Sequence, residues 1–167
     1  YSLIQHAFEF ANNQILLTRN QLHAKLGTTI AGVLMINNIA YAFWLGDVQI
    51  QHFRDCNQLF ISKSHSLIND MKKNGLISVK ELERYKHVVT RSLSGNPLDE
   101  PIPVVLIPFQ QGDTICISSD GLYDSISILS LIKKSEIEND SILHELDQRN
   151  RDNFSFIQLN THDNLNQ

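Results

Sequence analysis

The sequence has few cysteines and no arrangement of them that builds a site. Its 167 residues include two, Cys56 and Cys116, which lie far apart and form no CxxC pattern. We therefore expect two free thiols in a reducing compartment, the cytoplasm, instead of a disulfide framework. The seven histidines show neither HxH nor HExxH spacing. Histidines scattered in this way are more often surface or core residues than zinc ligands.

Long hydrophobic runs and an excess of positive charge are also missing. The longest apolar run, Ile30 to Ile36, is far shorter than the roughly 20 residues that cross a bilayer, and it predicts a buried strand. The net charge of -4 and the pI near 5.9 disfavour nucleic acid or an anionic membrane as a partner. The 42% of hydrophobic and 19% of charged residues predict one globular domain over residues 1–160, followed by a polar tail at 161–167.

Hydrophobic periodicity predicts a helix over residues 3–22, and a strand-rich region follows it. Residues 28–36 and 39–45 predict a hairpin with both strands largely buried. The remaining predicted strands cover residues 48–54, 58–61, 104–108, 113–118 and 154–159, and the remaining predicted helices cover 66–74, 78–85, 125–134 and 141–149. Because strands mostly follow strands, an α+β layered fold fits the order better than a parallel βαβ sheet.

Acidic residues lie at the ends of three predicted strands. Asp47 follows one strand, Asp120 and Asp124 follow another, and Asp152 precedes a third. Strand ends can direct carboxylates into a shared cleft, where their repulsion favours a divalent cation such as Mg²⁺ or Mn²⁺. Asp-Gly and Asp-Asn are also common turn dipeptides, so the residues alone leave a metal site and plain turns open. Three other aspartates are interpreted as turn or capping residues: Asp55, Asp113 and Asp140.

Several short segments occur in an order that is typical of one protein family. They are Gly27-Thr28-Thr29, Leu45-Gly46-Asp47, Ser64-His65-Ser66-Leu67-Ile68 with Asn74-Gly75-Leu76-Ile77 behind it, Val89-Thr90-Arg91-Ser92-Leu93, Gly112-Asp113 with Ser118-Ser119-Asp120-Gly121-Leu122-Tyr123-Asp124, and Arg151-Asp152-Asn153-Phe154-Ser155. This ordered set resembles the metal-dependent protein phosphatases of type 2C, and the bacterial serine/threonine branch in particular. The resemblance extends over residues 3–159.

The resemblance implies a role for each acidic position. Asp120 and Asp152 would be ligands of a two-metal centre that holds Mn²⁺ or Mg²⁺. Asp47 and Asp124, together with Asp120, would hold a third and more loosely bound ion. The activity implied is hydrolysis of phosphoserine or phosphothreonine by a metal-activated water, without a phosphoenzyme.

The resemblance also implies a fold, a flap and partners. The fold would be a four-layer α-β-β-α sandwich of two antiparallel sheets flanked by helices. The flap, residues 62–91, would lie beside the active site and contribute to substrate selection, with Ser64, His65 and Arg91 among its residues. The expected partners are a phosphorylated protein substrate and a cognate serine/threonine kinase, without nucleic acid or membrane.

The family's first metal-binding elements have no counterpart in this sequence. No DGxxG occurs between Tyr1 and Ala24, and the family's phosphate-binding arginine and general-acid histidine belong to the same early part. We expect that the beginning has been cut away, because the predicted helix begins almost at the first residue. A natural short form is the other interpretation. Val48 and Gln49 stand where the family usually has Ser-Arg, and Ser64 stands where an acidic residue usually precedes the histidine.

Two other functions remain open. One is a pseudophosphatase that binds a phosphoprotein or a kinase without turnover. The other is a regulatory phosphatase domain of the sporulation or stress-signalling kind, whose substrate would be a small phosphorylated antagonist protein. The length of the segment from Ser64 to Leu93 argues against the second, since a shorter flap is expected there.

Overall fold

The computed structural model describes residues 2–75, 78–133, 136–149 and 152–161. The helices there are α1 (Ser2–Leu22), α2 (Leu67–Asn74), α3 (Val79–Tyr85), α4 (Asp120–Tyr123), α5 (Ile128–Ile132) and α6 (Glu136–Arg149). The strands are β1 (Ile30–Ile36), β2 (Ile39–Leu45), β3 (Gln49–Arg54), β4 (Asn57–Ile61), β5 (Val104–Pro108), β6 (Asp113–Ser118) and β7 (Phe156–Asn160). None of these helices is long and apolar enough to cross a membrane.

The strands form two antiparallel sheets, with orders β1-β2-β5 and β4-β3-β6-β7. Their facing sides share a core in which Ala42 and Trp44 of the first sheet pack with Ile50 and Ile115 of the second. Ile50 and Ile115 are both 0% exposed, and burial of each contributes about 1.5–3 kcal/mol. This apolar layer fixes the two sheets against each other.

Helices cover the two outer faces. On the first sheet, Ile4 and Phe8 of α1 pack against Leu45 and Phe43, and the two phenylalanine rings meet edge to face at 5.7 Å. On the second sheet, residues of α4, α5 and α6 form a cluster with Phe53, Cys116 and other apolar side chains. The predicted sandwich of two antiparallel sheets flanked by helices is therefore confirmed.

The predicted strands are confirmed to within two residues at each end, but the predicted burial of β1 is wrong. The strand has the apolar composition of a buried one, yet Leu34, Met35 and Ile36 are 40–47% exposed. The exposure follows from the position of β1 at the edge of its sheet, where, among the described residues, it has β2 as its neighbouring strand on one side.

The helix predicted over residues 125–134 is present but shorter, as α5 from Ile128 to Ile132. A turn and the four-residue helix α4, which the sequence did not predict, come before it. The helix predicted over 141–149 begins earlier, at Glu136. Asp124 and Ser125 resemble helix-capping residues, which is why the sequence predicts too early a start. In the structure Leu122 of α4 and Leu131 of α5 both pack into the core beneath the second sheet, and the chain turns between the two helices.

Asp113, predicted to be a turn or capping residue, accepts a hydrogen bond from the N–H of Gln110 across the turn before β6, and it is also part of a buried ion pair. It begins β6, and its carboxylate is 0% exposed and paired with Arg54. The division into a domain at 1–160 and a tail at 161–167 stays a prediction, since residues 162–167 lie outside the described residues. So do Leu76, Ile77 and Arg151 of the predicted motifs.

Candidate metal centre

Antiparallel pairing brings the loops with the acidic residues to one edge of the second sheet. Ser118, the last residue of β6, pairs with the first residue of β3 and with the first residue of β7. Asp47 precedes β3, Asp120 follows β6, and Asp152 precedes β7. Three loops that are far apart in sequence therefore meet at the same place, as the strand-end pattern predicts.

Three side chains at this edge lie close enough together to hold a metal ion. One ligand atom each from His87, Asp120 and Asp152 lies within 4.8 Å of the other two. The Nδ1 atom of His87 is 4.0 Å from the Oδ2 atom of Asp120. The two carboxylates are the predicted ligands, whereas His87 was not predicted, because a single histidine in a polar turn after α3 carries no local signal.

Backbone contacts fix the loop of Asp152 against the start of α4. The N–H of Ser119 donates to the carbonyl of Ser155 at 3.1 Å, and the N–H of Ser155 donates to Oγ of Ser119 at 2.9 Å. Gly121 allows the close approach, since a Cβ at this position would collide with the carbonyl oxygen of Asn153. The distance between the two predicted ligands is thus set by packing of the main chain.

Asp47 is held beside the cluster by its neighbours. The Tyr123 hydroxyl donates to the carbonyl oxygen of Asp47, and the preceding Gly46 has a φ of +106° that permits the sharp turn after β2. Burial raises the pKa of the Asp47 carboxyl, and the charges of Asp120 and Asp152 raise it as well, although a hydrogen bond from its own backbone opposes them. Asp47 therefore interacts electrostatically with both carboxylates of the cluster.

Asp124 lies on the same side of the molecule. Burial raises its carboxyl pKa, the charge of Asp120 raises it further, and Lys86 and His87 lower it. Asp47 and Asp124 both line a cavity of about 380 Å³, together with Ser64 and Lys86. Four predicted carboxylates are thus close enough to interact electrostatically.

Two of the predicted flap residues lie at the base of the flap, next to this cavity. Ser64 is buried and its Oγ accepts a hydrogen bond from the Asn69 amide at 2.8 Å. The backbone N–H of His65 donates to the carbonyl of Gly46 at 2.7 Å, and its Nδ1 accepts from the N–H of Gly46 at 3.1 Å. His65 thus ties the flap to the turn that carries Asp47.

Arg91, the third predicted flap residue, is not among the residues that line this cavity. It donates to the carbonyl oxygens of Glu100 at 2.6 Å and Pro101 at 3.2 Å, and its Nη1 is 3.3 Å from Nε2 of His65. It lines a second cavity, of about 520 Å³. Its guanidinium is thus engaged with the loop before β5 and with His65, which in turn contacts the backbone of Gly46.

The chemistry of the donor set fits a divalent cation. Carboxylates that lie close together repel one another, and this repulsion is relieved when a positive ion binds between them. Oxygen ligands suit Mg²⁺ and Mn²⁺, and an imidazole beside them is compatible with Mn²⁺. The residues present at this edge therefore suit the metals that the sequence predicts.

Comparison with known proteins identifies protein phosphatases both in sequence and in structure. Protein phosphatase PhpP of Streptococcus pneumoniae is 29% identical over 125 residues, which cover 73% of this chain and 50% of that protein. A putative protein phosphatase 2C-type of Streptococcus pyogenes is 29% identical over 105 residues, 61% of this chain and 42% of that protein. This chain is similar in sequence to protein phosphatases of type 2C. No family model matches it.

A solved structure extends the similarity to type 2C phosphatases into three dimensions. The catalytic domain of the serine threonine protein phosphatase PstP, in complex with 2 manganese ions, superimposes with a TM-score of 0.71 at 25% identity. The match covers 88% of this chain and 65% of that one. The chain spans about half the length of the curated type 2C relatives that it matches.

Proposed function

We propose that this chain acts as a metal-dependent protein serine/threonine phosphatase, which hydrolyses phosphoserine and phosphothreonine with a metal-activated water. The observation that carries the proposal is the meeting of Asp120, Asp152, Asp47 and Asp124 at one edge of a sheet. The similarity to PhpP and to the manganese-containing PstP domain supports it.

In this proposal Asp120 and Asp152 hold two ions, Mn²⁺ or Mg²⁺, and Asp47 and Asp124 contribute to a third ion with Asp120. Bound divalent ions would supply a water of lowered pKa and positive charge beside the phosphoryl oxygens. Tyr123 positions Asp47 through the hydrogen bond to its carbonyl. Burial raises the pKa of the Tyr123 hydroxyl, and the charges of Asp124 and Asp120 raise it further, so this group stays a protonated donor at neutral pH.

The two cysteines do not offer a competing mechanism. Burial raises the pKa of the Cys116 thiol to about 12, so the thiol is protonated at physiological pH and lacks the thiolate character of a nucleophile. Cys56 is exposed in the turn between β3 and β4, away from the strand ends that carry the carboxylates. The proposed mechanism is therefore direct hydrolysis with a bound ion, without a cysteine nucleophile.

The proposed substrate is a phosphorylated protein, and the proposed flap of residues 62–91 contributes to its selection. Ser64 and His65 lie at the base of this segment, where it meets the carboxylates. Arg91 lines the second cavity of about 520 Å³, where we propose that residues of the peptide beside the phosphorylated one bind. A cognate serine/threonine kinase and a cytoplasmic signalling role belong to the same proposal.

The test is phosphate release from a phosphothreonine peptide in the presence of Mn²⁺. We expect release by the natural chain, its loss on addition of EDTA, and a loss of at least about tenfold in Asp120→Asn and in Asp152→Asn. The matched control is Asp140→Asn, which removes an exposed carboxylate from α6 and should retain full activity.

The outcomes separate the candidate functions. Equal activity in Asp120→Asn and in the control would show that hydrolysis does not use this site, which contradicts the proposal. Tight Mn²⁺ binding without any turnover would favour the pseudophosphatase, a module that binds a phosphoprotein or kinase. Repeating the assay with the longest natural form of the chain then distinguishes a module of this kind from an enzyme that needs more of the protein.

A further inference from the structure

His87 is the one member of the three-residue cluster that the strand-end pattern does not explain. It follows α3 directly, within the proposed flap, and its side chain is 57% exposed. Nevertheless its Nδ1 atom faces Oδ2 of Asp120 at 4.0 Å, and it lies within 4.8 Å of a carboxylate oxygen of Asp152. An exposed side chain that reaches across from the flap to both predicted ligands calls for a functional explanation.

The separations suit a single shared ion. Ligand atoms bound at about 2.1 Å lie at most about 4.2 Å apart on opposite sides of the ion, and the 4.0 Å between His87 and Asp120 falls within this limit. The upper bound of 4.8 Å in the cluster leaves less than 1 Å to close. Exposed side chains such as His87 and Asp152 can make that adjustment by small rotations.

The backbone next to His87 is anchored, which keeps the imidazole near the carboxylates. The N–H of Leu67 donates to the carbonyl of Val88 at 2.8 Å, and the N–H of Thr90 donates to the carbonyl of His65 at 2.9 Å. Ser66 and Val89 also form an antiparallel bridge between these two segments. The flap therefore leaves its base at a fixed point one residue after His87.

We propose that His87 is a ligand of the ion that Asp120 and Asp152 hold, so that metal binding fixes the flap against the ends of the strands. The inference rests on the proposed function, because it assumes that the two carboxylates bind a metal. An imidazole nitrogen is a better ligand for Mn²⁺ than for Mg²⁺, which prefers oxygen. His87 thus makes the site selective for Mn²⁺ over Mg²⁺.

Pulsed electron paramagnetic resonance of the Mn²⁺-loaded chain tests the ligand directly, because it detects the nucleus of a nitrogen bonded to Mn²⁺. We expect a nitrogen signal in the natural chain and in His144→Ala, which removes an exposed histidine on α6. In His87→Ala the signal should vanish while Mn²⁺ remains bound. Calorimetric titration should show Mn²⁺ affinity falling at least about tenfold in His87→Ala, and Mg²⁺ affinity falling less.

Hydrogen exchange supplies the readout for the flap. Mn²⁺ should slow amide exchange in residues 79–91 of the natural chain and should do so much less in His87→Ala. A Mn²⁺ complex that depends on Asp120 and Asp152 but has no nitrogen signal and is unchanged in His87→Ala would overturn the inference and leave the proposed function standing. Failure of the natural chain to bind Mn²⁺ at all would overturn both.

Discussion

Asp113 shows how much a single residue depends on partners that are distant in sequence. Its carboxylate is fully buried and accepts hydrogen bonds from Arg54 at 2.6 and 3.0 Å and from the N–H of Gln110 at 2.8 Å. The Nε2 atom of His52 lies 3.2 Å from Oδ2 of Asp113. A buried charge is tolerated only when it is paired and hydrogen-bonded in this way. The group therefore stabilises the end of β6 that lies opposite the candidate metal centre.

Asp113→Asn should destabilise the fold in a manner that depends on pH. Burial raises the pKa of the Asp113 carboxyl, but the hydrogen bonds from Arg54 and Gln110 and the nearby His52 outweigh burial, so the pKa lies below its ordinary value of 3.8. The carboxylate therefore stabilises the folded state above pH 3.8 and loses this effect as pH falls through the lowered pKa. Urea unfolding at pH 7 should show a loss of about 1.5–3 kcal/mol, and the difference should shrink below pH 3.8.

The control for this prediction is Asp140→Asn, because Asp140 is an exposed aspartate on α6. It should change the free energy of unfolding by less than about 0.5 kcal/mol at either pH. If Asp113→Asn were as stable as the control at pH 7, the charge of the buried carboxylate would make no net contribution to the free energy of unfolding. A difference that grows toward acid pH would contradict the assigned direction of the pKa shift.

At the level of single residues, the sequence predicts only what local patterns encode. Asp120 and Asp152 were candidates because each lies at the end of a strand, and strand ends are readable from hydrophobic alternation. Their roles as metal ligands came from the family resemblance and stay a prediction. The partnership of Asp113 with Arg54 was missed because it depends on the register between β3 and β6. His87 was missed for the same reason, since only the folded chain brings it to Asp120.

At the scale of elements, the proposed flap is joined to the sheet through His65. Its Nδ1 atom accepts a hydrogen bond from the N–H of Gly46 at 3.1 Å, and Gly46 is a buried residue. A buried N–H without an acceptor costs about 1–3 kcal/mol. The imidazole therefore contributes both to stability and to the position of the turn that holds Asp47.

His65→Ala should loosen this connection. The Gly46 N–H loses its side-chain acceptor, so the variant should unfold about 1–3 kcal/mol more easily. Amide exchange should accelerate around residues 46–47 and within 62–91. Hydrogen exchange followed by mass spectrometry measures the local effect, and thermal unfolding measures the global one.

The comparison for the flap prediction is His144→Ala, whose side chain lies on α6 with Nε2 at 3.1 Å from the Gln148 amide. It should leave exchange in the flap unchanged. Unaltered exchange in His65→Ala would mean that the backbone bonds between His65 and Thr90 hold the flap base without the imidazole.

Elements differ in how far the sequence predicts them. The strands and α1 carry clear periodicity and were predicted almost to the residue. The four-residue helix α4 is too short to show any period, and the capping signals that follow it were equally compatible with a helix starting at 125. The exposure of β1 could not be predicted, because an apolar run does not tell whether its strand is central or at an edge.

At the scale of the whole molecule, the candidate site depends on the complete architecture. Its carboxylates come from three loops that meet only when β3, β6 and β7 are paired in register. The flap adds a fourth segment, which is tied to the end of β2 through Gly46. In an unfolded chain these side chains are not held close together. An ion that binds the site therefore binds the folded state almost exclusively.

Mn²⁺ should therefore raise the stability of the whole molecule by mass action. At a free concentration of 100 times its dissociation constant, the expected gain in the free energy of unfolding is about 2.7 kcal/mol. For a chain of this size that gain raises Tm by about 5–10 °C, as scanning calorimetry can measure. Asp120→Asn should abolish the shift, and EDTA should reverse it, whereas NaCl at matched ionic strength should not reproduce it. An equal shift in Asp120→Asn would place the stabilising ion elsewhere on the molecule, because that variant removes the carboxylate shared by every metal position proposed here.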